Sequence, residues 1–502
     1  MSKRLILILA LAFAVGISFA AYAEVQNVKV SGDITIKGVS RNNLDLAKTG
    51  YPTDSTLTLA QRSVEVNQDE EDNFMSIIRL RIDADLTDNV STTLRLINER
   101  DWDSDANQVG TEENDIDLDL AYVTMKEFLF SPLSMTIGRQ ELRYGNGLIV
   151  GDPDTNNLAG SSLLDANDLS LRKAFDAIKA VLNYDPLVVD LVYAKIDEGT
   201  ALGANANDDT NLYGVNLNYA LNKENMLEAY LFSKRRGSAD AQFTTAASRT
   251  RGVALANLIT KHDTVHTLGA RVVNTSLKNL ALQLEGAIQR GTYNPGFDIN
   301  SQENALTGER DAWALQLIAT YDLKDVKPIS KYSPSITGSY TYLSGEKNTR
   351  GQDANTSKKY HGWDPMYEDQ TSGHLANRIF AATNCQVAAM NTKLKPIEDV
   401  TLSLDYVELF LNKKYPSQDI PDAGETKAGY QTTNLRGVTA SDTYRMTSNR
   451  HLGRELDTTL TYDYTEDVQF SLLGGVFFPG DAFHETNDSR ATELIGSMKV
   501  TF

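Results

Sequence analysis

The chain has 502 residues and one cysteine, Cys385. No intrachain disulfide framework is therefore possible, and a structural or incidental thiol is expected at that position. Positive charge is also short, with 48 Lys and Arg against 67 Asp and Glu for a formal charge of −19. That balance argues against a nucleic-acid surface. Beyond the first residues, no stretch reaches the roughly 18 consecutive apolar residues that a membrane-spanning helix needs. Neither a G-x-S-x-G elbow, a phosphate-binding glycine loop nor a C-x-x-C pair occurs, so no enzyme is expected. Proline is scarce, 12 residues, beside 22 Tyr and 33 Gly, a balance that suits sheets and turns better than helices.

The start of the chain, MSKRLILILALAFAVGISFAAYA, has Lys3 and Arg4, an apolar run from Leu5, and the small-residue pattern Ala21-Tyr22-Ala23. A basic region, an apolar region and an A-x-A site together predict a secretory signal peptide over 1–23, cleaved before Glu24. The mature chain, 24–502, reads as one domain.

From there on, apolar residues recur every second position. Val28, Val30, Ile34 and Ile36 alternate with Lys29, Ser31, Asp33 and Lys37, and Ile78, Leu80, Ile82 and Ala84 alternate with Arg79, Arg81, Asp83 and Asp85. Ile116, Leu118, Leu120 and Tyr122 alternate with Asp115, Asp117 and Asp119. A helix would scatter these charges around its circumference, whereas a strand gathers them on one face.

About eighteen such segments follow one another, from 26–40 to 491–502. Short turns follow the even-numbered segments. Long polar connections, among them 41–73, 140–173, 236–264, 345–385 and 412–453, follow the odd-numbered ones. A soluble sandwich has no reason to obey that alternation. A transmembrane barrel does, because its periplasmic turns are short and its extracellular loops long. Lipid cannot satisfy backbone polar groups, so the sheet must close. The expected fold is all-β: a transmembrane antiparallel β-barrel of about eighteen strands in the outer membrane of a Gram-negative-type bacterium. Its outer row would be apolar (Leu456, Leu460, Tyr462; Phe470, Leu472), and its inner row charged and water-lined (Glu455, Asp457, Asp463). Tyr184, Tyr193, Tyr219, Tyr321, Tyr342, Tyr462 and Tyr464 stand near strand ends, where aromatic girdles form. A ring of sixteen to eighteen strands encloses an aqueous channel.

Two passages, IGRQELRYGNGLIVGD (137–152) and HLGRELDTTLTYDYTEDVQFSLLGGVFFPGDAF (451–483), resemble the alginate-export family of bacterial outer-membrane proteins. The resemblance implies an eighteen-stranded monomeric barrel that secretes an anionic polysaccharide through a pore rich in basic residues. The terminal Phe502 resembles the signal by which barrel proteins are recognised by their assembly machinery.

The residues expected to line the pore are Arg79, Arg81, Arg95 and Arg271, together with Arg139, Arg143 and Arg172 in or beside loop 140–173, and Arg454. Water in the lumen would make such arginines tolerable, and paired guanidinium hydrogen bonds suit a uronate carboxylate. Asp83, Asp85, Asp117, Asp119, Asp190 and Glu285 also read as inward. Facing Arg and Asp rows either cross-link and stiffen the wall or set up a transverse field that orients solutes. Loop 140–173 is long enough to fold inward as a constriction.

The segment DWDSDANQVGTE places Asp101, Asp103, Asp105 and Glu112 at positions 1, 3, 5 and 12 of a calcium-loop pattern, with Ala106 where glycine is required. It reads as a looser calcium site or a solvated acidic loop; no other cofactor is expected. His262 and His266 would stand about 13 Å apart on a strand, too far to share a metal.

The function expected is a passive channel for anionic oligo- or polysaccharide, with the chain a monomer in lipid. The alternatives are a general small-solute porin whose cut-off is set by loop 140–173, and a barrel serving adhesion.

Overall fold

In the computed structural model, residues 27–44, 46, 70–102, 116–154, 166–197, 209–237, 262–293, 308–346, 359–414, 446–485 and 487–502 are described. The leader, and Asp103, Asp105 and Glu112 of the calcium-like segment, lie outside them.

The strands in chain order begin with β1 (Asn27–Asn42), β2 (Glu70–Thr87), β3 (Val90–Asp101), β4 (Asp117–Met125), β5 (Leu133–Glu141) and β6 (Ala174–Asn183). They continue with β7 (Leu187–Asp197), β8 (Thr210–Asn222), β9 (Asn225–Arg236), β10 (Asp263–Leu277), β11 (Leu280–Tyr293), β12 (Gly308–Asp322) and β13 (Ser335–Leu343). The two-residue β14 (Lys359–Tyr360) lies parallel to the start of β12. The series ends with β15 (Cys385–Ile397), β16 (Val400–Leu411), β17 (His451–Asp463), β18 (Val468–Pro479) and β19 (Ala491–Thr501).

Apart from β14, these eighteen strands are the eighteen segments that the alternation predicts. Each is antiparallel to its neighbours, and β1 pairs with both β2 and β19 (Ile34 opposite Ile78 and Val500), so the sheet closes without a free edge. One connection at the turn end is longer than the rest: between β12 and β13 the chain makes a 3-10 turn over Ile329–Tyr332.

The outer row is apolar. Leu456, Leu460, Tyr462, Phe470 and Leu472 are 41–49 % exposed. Facing water, each would forgo much of the roughly 1.5–3 kcal/mol that burying such a side chain yields, a loss that lipid removes. Tyr184, Tyr219, Tyr321, Tyr462 and Tyr464 mark the turn end of this surface, and Tyr193, Tyr213 and Trp313 the loop end. At closure, Gly32 exchanges backbone hydrogen bonds of 2.8 and 3.0 Å with Phe502. A Cβ at Gly32 would fall 2.7 Å from the Phe502 ring, so the glycine is what lets the terminal aromatic lie flat on the wall.

The simple alternation fails on β4. The ladder pairs Arg95 with Leu120 but Leu96 with Leu118, so Asp119 is an extra residue in the strand. Such a bulge reverses the faces beyond it. Leu120, expected outside, is 2 % exposed on the inner side, and Val123 takes the lipid face.

The interior has two tiers. Toward the turn end, inner residues are polar, as expected. Toward the loop end they are apolar: Phe175, Phe232, Val265, Leu343, Leu409 and Phe477 are all buried. What buries them is chain folded into the lumen. Leu142, Leu148, Ile149 and Val150 from connection β5–β6, with Trp363, Met366 and Tyr367 from connection β13–β15, form one core with that wall. The second connection also carries α1 (His374–Ile379), whose Leu375, Ala376 and Ile379 join the same core. Across the barrel, Ala166, Leu169 and Leu171 cover Met75, Ile77 and Ile97.

Candidate functional site: internal loops in a charged lumen

The two internal segments are zipped to each other. Tyr367 N–H donates to the Ile149 carbonyl (3.0 Å), Gly151 N–H to that of Tyr367 (2.7 Å), and Asp369 N–H to that of Gly147 (2.8 Å). Glycine is needed at this junction. Gly147 has φ +76°, and a Cβ on Gly151 would stand 2.5 Å from the Asp369 Cβ. The tip Tyr144-Gly145-Asn146 reaches toward the polar tier, where Asn146 donates to Gln316 (2.9 Å) and Gly145 lies against Arg271 and Glu228.

Charged groups pin this assembly to the wall. Arg41, fully buried, donates to both oxygens of Asp168 (2.9 and 2.8 Å) and also meets Glu71 and Glu493. Burial alone would push the Asp168 carboxyl up, but the Arg41 charge and hydrogen bonds outweigh it and hold the group below its usual range. On the second segment, Asp364 is held by Lys234 (2.7 Å) and Arg310 (3.5 Å), which likewise outweigh burial and depress its pKa. Glu455 accepts the N–H groups of Leu375 (2.8 Å) and Ala376 (2.6 Å), so β17 caps the start of α1.

These contacts account for both family-like passages. The first is the inward turn and its glycines; the second supplies Glu455 and Asp457, which receive the helix of the other segment.

The predicted pore residues separate into three groups. Arg79, paired with Asp33 (2.9 Å), and Arg81, paired with Asp83 (2.7 Å), face the open polar tier, as does Asp85. Arg172 joins Glu99 (3.2 Å) and Asp117 (2.5 Å), while Arg143 and Lys173 both bind Asp369 where the two segments meet. Their side chains are 26, 50 and 34 % exposed for Arg172, Arg143 and Lys173.

A second group is buried. Arg95 holds Asp119 (2.5 Å) and Glu141, and Arg271 holds Glu228 (2.6 Å) beneath the Tyr144 tip. Glu285 is buried beside them and accepts from Tyr230 (2.7 Å).

The third group is a correction. Arg139 lies in register with Ala121 and Asp176, on the face that carries the exposed Ile137 and Ile178, and pairs with Asp176 (3.1 Å) outside the barrel. Arg454 shares the face of Leu456 and stacks over the exposed Phe478 ring (5.7 Å). Strand parity places both outside the lumen, at the loop end of the wall.

Of the four carboxylates of the calcium-like segment only that of Asp101 is described; it is buried on the inner face of β3, where it accepts from Asn73 (3.2 Å). His262 and His266 have separate partners, Arg235 and Ser233 (2.8 Å each). Among the described residues one group has carboxylates close enough to share a metal, Glu455, Asp457 and Glu493.

Sequence reasoning passed over Arg41, Asp168, Lys173, Asp364 and Asp369. Alternation along β1 (Asp33, Thr35, Lys37, Val39, Arg41) already points Arg41 inward. The three loop aspartates have no periodicity to reveal them.

The fold is that of outer-membrane porins. OpdO of Pseudomonas aeruginosa superposes with a TM-score of 0.51 at 11 % identity, over 95 % of this chain and 98 % of that one. OpdQ of the same organism gives 0.51 and 11 %, over 95 % and 99 %. Among curated proteins none matches the chain. The family model described as alginate export matches residues 28–497. The chain thus belongs to the alginate-export family and is an outer-membrane channel protein.

Proposed function

We propose that this channel passes an anionic oligo- or polysaccharide by passive diffusion along the lumen. One observation carries the reading: a succession of cations, Arg81, Arg79, Arg172, Lys173 and Arg143, runs from the polar tier to the loop junction, each partly exposed and each holding a carboxylate. A uronate carboxylate matches the groups these cations already bind, so it can exchange with a resident Asp or Glu. Because each cation starts out paired, the incoming anion gains only the difference between two similar ion pairs. Binding at each position is then weak and repeated, which conduction requires. The Asp and Glu partners serve both as stiffeners of the wall and as exchangeable placeholders.

The apolar outer rows of the described strands support a monomer surrounded by lipid. Phe502 seated at the closing seam supports recognition of the last strand by the assembly machinery. The leader supports export with cleavage before Glu24, shortly before β1 begins.

A second reading, a small-solute porin with a size cut-off, is favoured by the position of the β5–β6 connection inside the lumen. Planar-bilayer recordings separate the two. Anion-selective reversal potentials, with block by oligouronates and not by neutral oligosaccharides of equal length, are expected for the first reading. Cation preference would overturn it, and passage graded by size and indifferent to charge would favour the second.

A further inference from the structure

Three neighbouring strands place Asp457, Gly475 and Glu493 side by side on the inner face, with the glycine in the middle. Asp457 Oδ1 and Glu493 Oε1 are buried without a hydrogen-bond partner. Both are turned toward the space that the missing side chain leaves: a Cβ on Gly475 would stand 2.6 Å from Asp457 Oδ1 and 2.9 Å from Glu493 Oε1. Glu455, two residues before Asp457, is wholly buried, and carboxylate oxygens of the three residues lie within 4.8 Å of one another.

The Arg41 charge is already engaged. Arg41 binds the other oxygen of Glu493 and is shared with Glu71 and Asp168. Two unpartnered carboxylate oxygens facing one buried gap repel each other and call for a cation. We propose that Glu455, Asp457 and Glu493 hold a calcium ion over Gly475. Calcium–oxygen distances of about 2.3–2.6 Å place oxygens on opposite sides of the ion roughly 4.6–5.2 Å apart, which the observed spacing fits. Calcium also accepts irregular sets of protein oxygens, whereas magnesium keeps several waters for which this buried space has little room. The ion would tie β17 to β19 across β18, beside the internal segment whose helix Glu455 caps.

The test uses the full-length chain assembled in detergent, stripped with chelator and dialysed against radioactive calcium. One ion per chain is expected. Gly475→Ala, which fills the gap and keeps every carboxylate, abolishes its binding, and Asp457→Asn weakens it by at least about ten-fold. Asp103→Asn/Asp105→Asn, in the acidic stretch that follows β3 in sequence, leaves it unchanged. Assembly of each variant is checked by heat-modifiable migration in gels. Should Gly475→Ala fail to assemble, Glu493→Gln replaces it, and calcium, unlike magnesium, must still raise the thermal unfolding temperature of the wild-type protein. Absence of bound calcium overturns the proposal. So does binding that survives Gly475→Ala and is lost in Asp103→Asn/Asp105→Asn, or stabilisation of the wild type by acid and not by calcium, which would mean that the carboxylates share protons.

Discussion

Arg41 on the first strand and Asp168 on an internal loop, 127 residues further on, are joined by two parallel hydrogen bonds of 2.9 and 2.8 Å. This bidentate pair fixes a lumen segment to the wall beside the seam where the barrel closes.

Removing the cation leaves Asp168, Glu71 and Glu493 facing one another in a buried site. Breaking such a network by deleting one partner costs about 3–5 kcal/mol. Arg41→Ala is therefore expected to lower the urea midpoint of barrel unfolding from lipid vesicles and to raise current noise in bilayers as the loop detaches. An unchanged midpoint would contradict the role given to the pair.

Acid is expected to release both internal segments. Asp168 and Asp364 have depressed pKa values in the folded protein. A detached loop binds their protons more readily, so the docking that they contribute is complete above the usual carboxylate range and is lost as pH falls through the depressed values. Conductance and protease accessibility of residues 359–384 should both rise on acidification below that range. A rise on going alkaline would have the wrong sign.

Selectivity should follow wall face and not proximity in sequence. Arg143→Ser and Lys173→Ser are expected to reduce anion preference in reversal-potential measurements. Arg139→Ser, four positions from Arg143 but outside the barrel, should leave it within error, as should Arg454→Ser. Equal effects of Arg139→Ser and Arg143→Ser would overturn the assignment of faces.

Gly151→Ala puts a methyl group 2.5 Å from the Cβ of Asp369 and forces the two internal segments apart. Larger and more variable single-channel conductance is expected, with the melting temperature of the barrel little changed, because the strand ladders do not pass through Gly151.

The number of strands, their order and most of their faces were legible because period two and the alternation of short and long connections are imposed by lipid on every strand. Arg79, Arg81, Asp83 and Asp85 fall where that period puts them. It misplaces Leu120 because the extra residue at Asp119 leaves no compositional mark. Arg139 and Arg454 read as pore groups through their neighbours in family-like motifs, although each stands on the outward parity of its own strand. The length of loop 140–173 marked it as able to fold inward, but the residues that dock it, and the docking of the β13–β15 connection, were not legible. Leu148, Ile149, Trp363 and Tyr367 are a scattering of apolar residues in irregular chain, and the wall that they meet is assembled from strands throughout the sequence.

That shared core changes what it means to widen this pore. Phe175, Phe232, Leu409 and Phe477 face inward and are covered only because Ile149, Met366, Phe380 and their neighbours press against them. A barrel stripped of its internal segments would be a tube with a water-repelling upper lining, prone to dewet and to recruit foreign apolar chains. Truncation is therefore the wrong route to an open variant. Hollowing this channel calls for polar replacements on the strands themselves, made together with the loop deletion.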